Sequence, residues 1–233
     1  GADLSQADLF PPNPSLDNYD SIFKNGDFTS ALRNSIIVTT ITTVLALVVG
    51  SFAAYALARL RFPNKFLLLG VILSISTFPP IAIAAPIFKL WTDLGLYDTY
   101  AGLIIPYLTF ALPLAIYILT SFFKEIPKEL EEAALVDGAT YFQAFRKVIL
   151  PLAAPGLVTA GLLTAFFVWN EFLLAQTLTS SPKAFTVPVA VANFQTVSVA
   201  MGPPALHVGG RGGWYRRHAG RASRVTVRPA RAR

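Results

Sequence analysis

The sequence predicts an all-α, polytopic membrane helix bundle, on three observations. Apolar residues make up 54% of the 233, charged residues only 14%, and the apolar residues gather into long runs that contain no charge. Soluble globular domains carry about 25% charged residues, so this composition excludes an ordinary soluble enzyme. It also excludes disorder, collagen and a disulfide scaffold. With no cysteine, thiolate metal ligands, thiol nucleophiles and redox switches are absent. The net charge of +6 suggests nucleic acid until its distribution is read. Residues 207–233 hold eight arginines and no acid; the other 206 residues hold 11 basic and 13 acidic side chains, a net of −2. A slightly acidic, very apolar body therefore carries a basic tail, and no nucleic-acid partner is expected.

A helix needs about 20 mostly apolar residues to cross the hydrocarbon core. Residues 34–58 supply 25 without a charge, residues 66–88 supply 23 and residues 99–123 another 25. A fourth uncharged run, 148–170, begins with Pro151 and Pro155, which places its helix near 156–178. The β-branched stretch in the first run would read as strand in water, but in lipid a helix satisfies its backbone within one segment. Pro79, Pro80 and Pro86 are expected to interrupt the second span, and Pro106 and Pro113 the third. Such breaks suit a packed bundle, where neighbours satisfy the freed backbone groups.

Lysine and arginine in short loops set the orientation. Arg59, Arg61 and Lys65 with no acid place the first loop in the cytoplasm, and Lys124, Lys128, Arg146 and Lys147 do the same for 124–155. Residues 89–98 carry one basic residue and two acids, and residues 1–33 carry Lys24 and Arg33 against five aspartates; both read as external. The domain reading is an external segment 1–33, a transmembrane domain 34–178 containing the cytoplasmic loop 124–155, an external segment 179–199 and a basic tail 200–233.

The loop 124–155 is the most informative stretch. Pro127 suits a first helical turn, and Glu129, Glu131 and Glu132 follow where the helix dipole favours negative charge. The helix continues through Ala133, Ala134, Leu135 and Val136 to Asp137, and Gly138 is a natural stop. Thr140 with Gln143 reads as a capping box opening a second short helix. Phe142, Phe145, Val148 and Ile149 give that helix an apolar face, and Pro151 is expected to end it. Two readings stand at this point: a docking element for a cytoplasmic partner, or an amphipathic loop lying on the bilayer.

Glu132-Ala133-Ala134, three residues, Gly138, nine residues, then Val148-Ile149-Leu150-Pro151 resembles the EAA signature of ATP-binding-cassette importer permeases. The one departure is Val148 in an isoleucine position. Residues 13–19 (Asn-Pro-Ser-Leu-Asp-Asn-Tyr), Asp137-Gly138-Ala139 and Trp169-Asn170-Glu171-Phe172 narrow the resemblance to carbohydrate permeases of the maltose/trehalose type. The resemblance implies a subunit in the inner membrane of a bacterial or archaeal cell, with no cofactor and no catalytic residue of its own. Its implied partners are an ATPase subunit dimer, a second homologous permease, an extracytoplasmic sugar-binding protein and the surrounding membrane lipid. It implies an ATPase-coupling role for Glu132, Ala133, Ala134, Asp137, Gly138, Leu150 and Pro151. Consistently, no G-x-x-x-x-G-K-[ST] phosphate loop occurs in the chain.

Such permeases have six spans, so the resemblance makes these four spans two to five and leaves the first and last to be accounted for. By the same comparison the tail, rich in Arg, Gly, Ala and Pro and free of lysine, reads as a non-native or out-of-frame replacement of span six. Candidate pathway residues are Asn170 and Glu171, because an ionisable group near membrane depth marks a functional site by default. An interfacial glutamate holding a gate or subunit contact is the milder reading of Glu171. Phe78 and Pro79 mark a break that either faces a translocation cavity or is a packing kink. Tyr107, Phe110 and Tyr117 either stack on sugar rings or simply pack. The expected function is the permease subunit of an ATP-driven sugar importer; the alternative is a non-transporting membrane scaffold or inactive truncated permease.

Overall fold

A computed structural model describes residues 26–61 and 63–200, with backbone alone for 194–200. The segment 1–25, with its Asn13–Tyr19 motif, and the tail 201–233, with its eight arginines, lie outside the described residues. Among the described residues, 26–191 fall in one compact unit and 192–200 in another. In order the helices are α1 (Gly26–Arg59), α2 (Lys65–Thr77), α3 (Pro80–Asp93), α4 (Tyr100–Glu125), α5 (Lys128–Val136), α6 (Tyr141–Ala144), a π turn (Phe145–Ile149), α7 (Leu150–Leu152), α8 (Ala154–Trp169), α9 (Leu173–Leu178) and α10 (Val187–Ala200). No strand occurs among the described residues. Two helices, α1 and α4, are long and apolar enough to span alone; the bent pairs α2–α3 and Tyr141–Leu152 (α6 to α7) with α8 bring the total to four if each is one span.

α1 and α4 run parallel, in register at both ends. Near their starts the Tyr100 hydroxyl donates to Asn34 Oδ1 at 2.6 Å. At their ends Arg59 Nη2 donates to the Ile126 carbonyl at 2.8 Å. Between these points α1 buries small residues four apart, Ala46, Gly50, Ala54 and Ala58. Small side chains let membrane helices approach closely, and a Cβ at Gly50 would already stand 3.3 Å from that of Ala115. Two apolar cores result. One contains Leu103, Tyr107, Phe110 and Ala111 of α4 with Trp91, Leu174 and Leu178. The other, toward the basic end, joins Ala54 and Ala58 to Leu119, Phe123, Phe145 and Ile149.

α1 begins at Gly26, eight positions before the uncharged run, so part of the segment expected to be external is helical. α4 opens where expected: the Thr99 side chain caps it, accepting from Gly102 N–H at 3.1 Å. Against expectation, Pro106 and Pro113 do not interrupt it; both lie buried within an unbroken helix. Pro106 cannot bond the Gly102 carbonyl, and Trp91 Nε1 donates to that oxygen instead, at 2.7 Å. Gly102 is needed here, because a Cβ would strike the Leu96 carbonyl.

The second span is two helices bent by 81°. Phe78 and Pro79 are both extended, since a residue before proline is pushed away from the α region and here two prolines follow in succession. The fourth run is also divided. Its helix ends at Trp169 rather than near 178, and Asn170 and Glu171 separate it from α9. Nor does Pro151 end the preceding helix; the chain turns by 75° only at Ala153. The π turn, closed by Leu150 N–H on the Phe145 carbonyl, widens the backbone just before the proline and so accommodates the missing donor. Beyond the turn Gly156 lies against the Phe122 ring, where a Cβ would clash.

Trp91→Phe removes the donor to the Gly102 carbonyl while keeping most of the apolar contact. It should lower stability in detergent by about 1–3 kcal/mol, read as a lower unfolding midpoint. An unchanged midpoint would contradict this role for the indole.

Candidate functional site

The chemistry-bearing residues collect at the two ends of the α1–α4 pair. At the basic end, α5 carries the acids of the EAA sequence. Its C-terminus is a complete Schellman motif: Ala139 N–H reaches the Ala134 carbonyl and Gly138 N–H the Leu135 carbonyl, each at 3.0 Å. That requires a left-handed residue, and Gly138 has φ of +86°. The Thr140–Gln143 capping box is formed in both directions, at 2.9 and 3.3 Å.

Glu131 is the acid that turns inward. Its carboxylate accepts a short hydrogen bond from the Tyr55 hydroxyl and faces Arg59 Nε at 3.3 Å, with both charged side chains almost fully buried. Below them Phe145 is buried, its ring 4.8 Å from Tyr55, 5.3 Å from Phe52 and 6.2 Å from Phe123. The loop is thus clamped to α1 and α4 by one ion pair and one aromatic side chain. Glu132, Ala133, Asp137 and Gly138 are exposed and Ala134 half-buried. Val136 is 87% exposed, and Tyr141 and Phe142 are also largely free. Leu150 is half-buried and Pro151 exposed, both beyond the π turn. A cavity of about 340 Å³ lies between Arg59, Arg61, Lys128, Glu131, Glu132 and Tyr141.

The sequence reading did not single out Glu131, Tyr55 or Phe145 as site residues, and used Arg59 only for orientation. Tyr55 and Arg59 are four apart beside a basic loop that faces an acidic helix. That i, i+4 spacing was the available signal.

At the opposite end Glu171 lies at the break between α8 and α9. Its carboxylate caps α9, accepting from Leu174 N–H at 2.9 Å and Ala175 N–H at 3.1 Å. Asn170 Nδ2 donates back to the Phe166 carbonyl at 2.8 Å. Tyr107 and Phe110 are buried in the core, so they pack rather than offering a face to a ligand; Tyr117 is about half exposed. Phe78 and Pro79 stand exposed at the α2–α3 bend.

A strap of residues 178–187 ties this end together. Asn34 Nδ2 donates to the Pro182 and Phe185 carbonyls at 3.2 and 3.0 Å, and Val187 N–H donates to Ser35 Oγ at 2.8 Å. Asp98 accepts from Ser180 N–H at 2.9 Å, Ser181 N–H at 3.2 Å and Ser181 Oγ at 2.6 Å. Partial burial works to raise the Asp98 pKa, but these donors and the nearby Lys183 outweigh it, and the carboxyl lies below its ordinary 3.8.

These features define a helical membrane transport subunit: spans closed at both ends by polar clamps, with an exposed helical loop at the basic end. The family model described as the binding-protein-dependent transport system inner membrane component matches residues 27–208, and the chain belongs to that family. It is therefore an inner-membrane component of a binding-protein-dependent transport system. It is 58% identical over 186 residues to the trehalose transport system permease protein SugB of Mycobacterium tuberculosis, covering 80% of this chain and 68% of that one. It is 40% identical to the sulfoquinovosyl glycerol permease SmoH of Agrobacterium fabrum (80% and 65% covered), and 39% identical to the trehalose/maltose permease MalG of Thermococcus litoralis (78% and 66%). The chain thus spans about two thirds of these relatives. Among solved structures it resembles a chain of a bacterial ABC transporter involved in import of the acidic polysaccharide alginate. That match has a TM-score of 0.68 and 29% identity, covering 83% of this chain and 68% of that one.

The Asp98 carboxyl gives a signed pH dependence. A pKa depressed in the fold stabilises above the unfolded value and loses that contribution as pH falls through the folded one. Stability should therefore drop as pH is lowered below 3.8, and the Asp98→Asn chain should lack this part of the acid loss. Parallel acid-unfolding curves for the two would contradict the assignment.

Proposed function

We propose that the chain is the permease subunit of an ATP-driven sugar importer, and that loop 124–155 is where a separate ATPase delivers its motion. The observation that carries this reading is the division of labour within the loop. One side, Glu131 and Phe145, is buried against α1 and α4, while the other presents Glu132, Ala133, Val136 and Tyr141 outward. An amphipathic loop resting on lipid would keep its acids off its apolar face; here Glu132 and Val136, four apart on α5, share one exposed face. Such a surface, apolar at its centre and charged at its edge, suits a protein partner.

The small Ala133 side chain permits close approach, and the Schellman turn at Gly138 holds α5 and α6 at a fixed angle. Leu150 and Pro151 lie where the loop turns into α8, so displacement of the loop is passed into that helix. In this reading closure of an ATPase dimer moves the loop, and the bundle alternates its access between the two sides. A second permease completes the pathway, and an external binding protein delivers the substrate. The substrate class is a sugar, supported by relatives whose names specify trehalose, trehalose/maltose and sulfoquinovosyl glycerol. Trehalose is the first probe, on the strength of the 58% identical relative. Asn170 and Glu171 serve as braces of the outer end, and the Phe78–Pro79 bend as a wall of the pathway.

The test is reconstitution in proteoliposomes with the ATPase and binding-protein partners, reading ATP-dependent uptake of labelled trehalose beside maltose and diacetylchitobiose. Glu132→Ala, which alters only exposed surface, should cut uptake by about tenfold or more, as expected for an interface hot spot. Gly138→Pro, which cannot adopt a positive φ, should abolish uptake. Undiminished uptake in both variants would overturn the coupling assignment.

A further inference from the structure

We propose that Arg59, Glu131 and Tyr55 are the positioning residues through which the loop drives α1, and that α1 carries this movement to the outer strap. This rests on the loop being the site where the ATPase acts, and goes beyond it by naming the element that moves. Tyr55 and Arg59 lie one turn apart on α1 and both engage the same carboxylate, Tyr55 by hydrogen bond and Arg59 by charge. Arg59 also holds the last turn of α4 through the Ile126 carbonyl. A displacement of α5 therefore pulls on two points of α1 and one of α4 together.

A surface ion pair would stretch or exchange with water under such a load. This pair is almost fully buried, and burial makes its separation costly because each charge would be left unpaired. Phe145, packed between Phe52, Tyr55 and Phe123, prevents the loop from swinging about the ion pair. The other end of α1 is held as firmly. The Asn34 carboxamide is buried and uses both its nitrogen and its oxygen, on the strap carbonyls and on Tyr100. No proline interrupts α1 between these clamps, so it is a continuous rod of 34 residues, about 51 Å long.

The experiment measures trehalose taken up per ATP hydrolysed by the complete reconstituted transporter. Arg59→Glu and Glu131→Arg should each lower that ratio by about tenfold while ATP hydrolysis continues, and the double reversal should recover part of it, as expected for a directly coupled pair, the bond to the Ile126 carbonyl being lost. Tyr55→Phe, which removes one hydroxyl, should lower it about twofold to threefold. A normal ratio in the single reversals, or a double reversal no better than either single, would overturn the proposal. If the reversed chains fail to assemble, the Tyr55→Phe ratio decides alone: reduced supports the link, unchanged overturns it. Failure of the underlying reading looks different, since the unaltered chain would then show no ATP-coupled sugar uptake at all.

Discussion

The parallel packing of α1 on α4 through small side chains is the constraint from which the rest of the molecule follows. Membrane helices gain little from excluding lipid, so close backbone approach and buried hydrogen bonds carry the association. With Ala46, Gly50, Ala54 and Ala58 along one seam, the two helices lie in register for the full depth of the bundle. That register brings Asn34 to Tyr100 at one end and Arg59 to Ile126 at the other. A larger residue at position 50 would have to displace Ala115, and both polar clamps would lose their geometry together.

Backbone accounting explains where the remaining chain bends. Within lipid each carbonyl needs a partner, and the helices break only where one can be supplied or the chain is not enclosed. Pro106 is carried inside α4 because the Trp91 indole takes over the freed Gly102 oxygen. Pro151 is carried by a π turn. Pro79 and Pro80 together exceed what such local repair can absorb, and the chain bends by 81°. At Asn170 the break is converted into an attachment, because the Glu171 carboxylate supplies the acceptors that α9 needs at its start.

Much of this was legible before the structure. Two of the four apolar runs became the helices α1 and α4, and Gly138 and the Thr140–Gln143 pair cap the elements they were expected to cap. What escaped the sequence depends on rotation about a helix axis and on partners distant in the chain. Glu129, Glu131 and Glu132 are equally good complements to a helix dipole, and only the docking of α5 on α1 selects Glu131 for burial. Arg59 had an adequate explanation as a topological charge, which concealed its role as a buried partner. The continuity of α4 through Pro106 could not be read locally, since the compensating donor, Trp91, belongs to another helix.

Through the Arg59–Glu131–Tyr55 clamp the loop and α1 move as one body. The chain has no native cysteine, so labels can be placed without background. Leu60, just beyond α1, and Val136, at the end of α5, are both exposed and lie outside the clamp itself. A Leu60→Cys/Val136→Cys pair carrying spin labels, in the assembled transporter, reports their separation by pulsed electron resonance with and without bound ATP. One rigid body gives the same distance distribution in both states, whatever the rest of the bundle does. A separation that changes by more than about 5 Å, the rise of one helical turn, would show the loop moving independently of α1 and would contradict it.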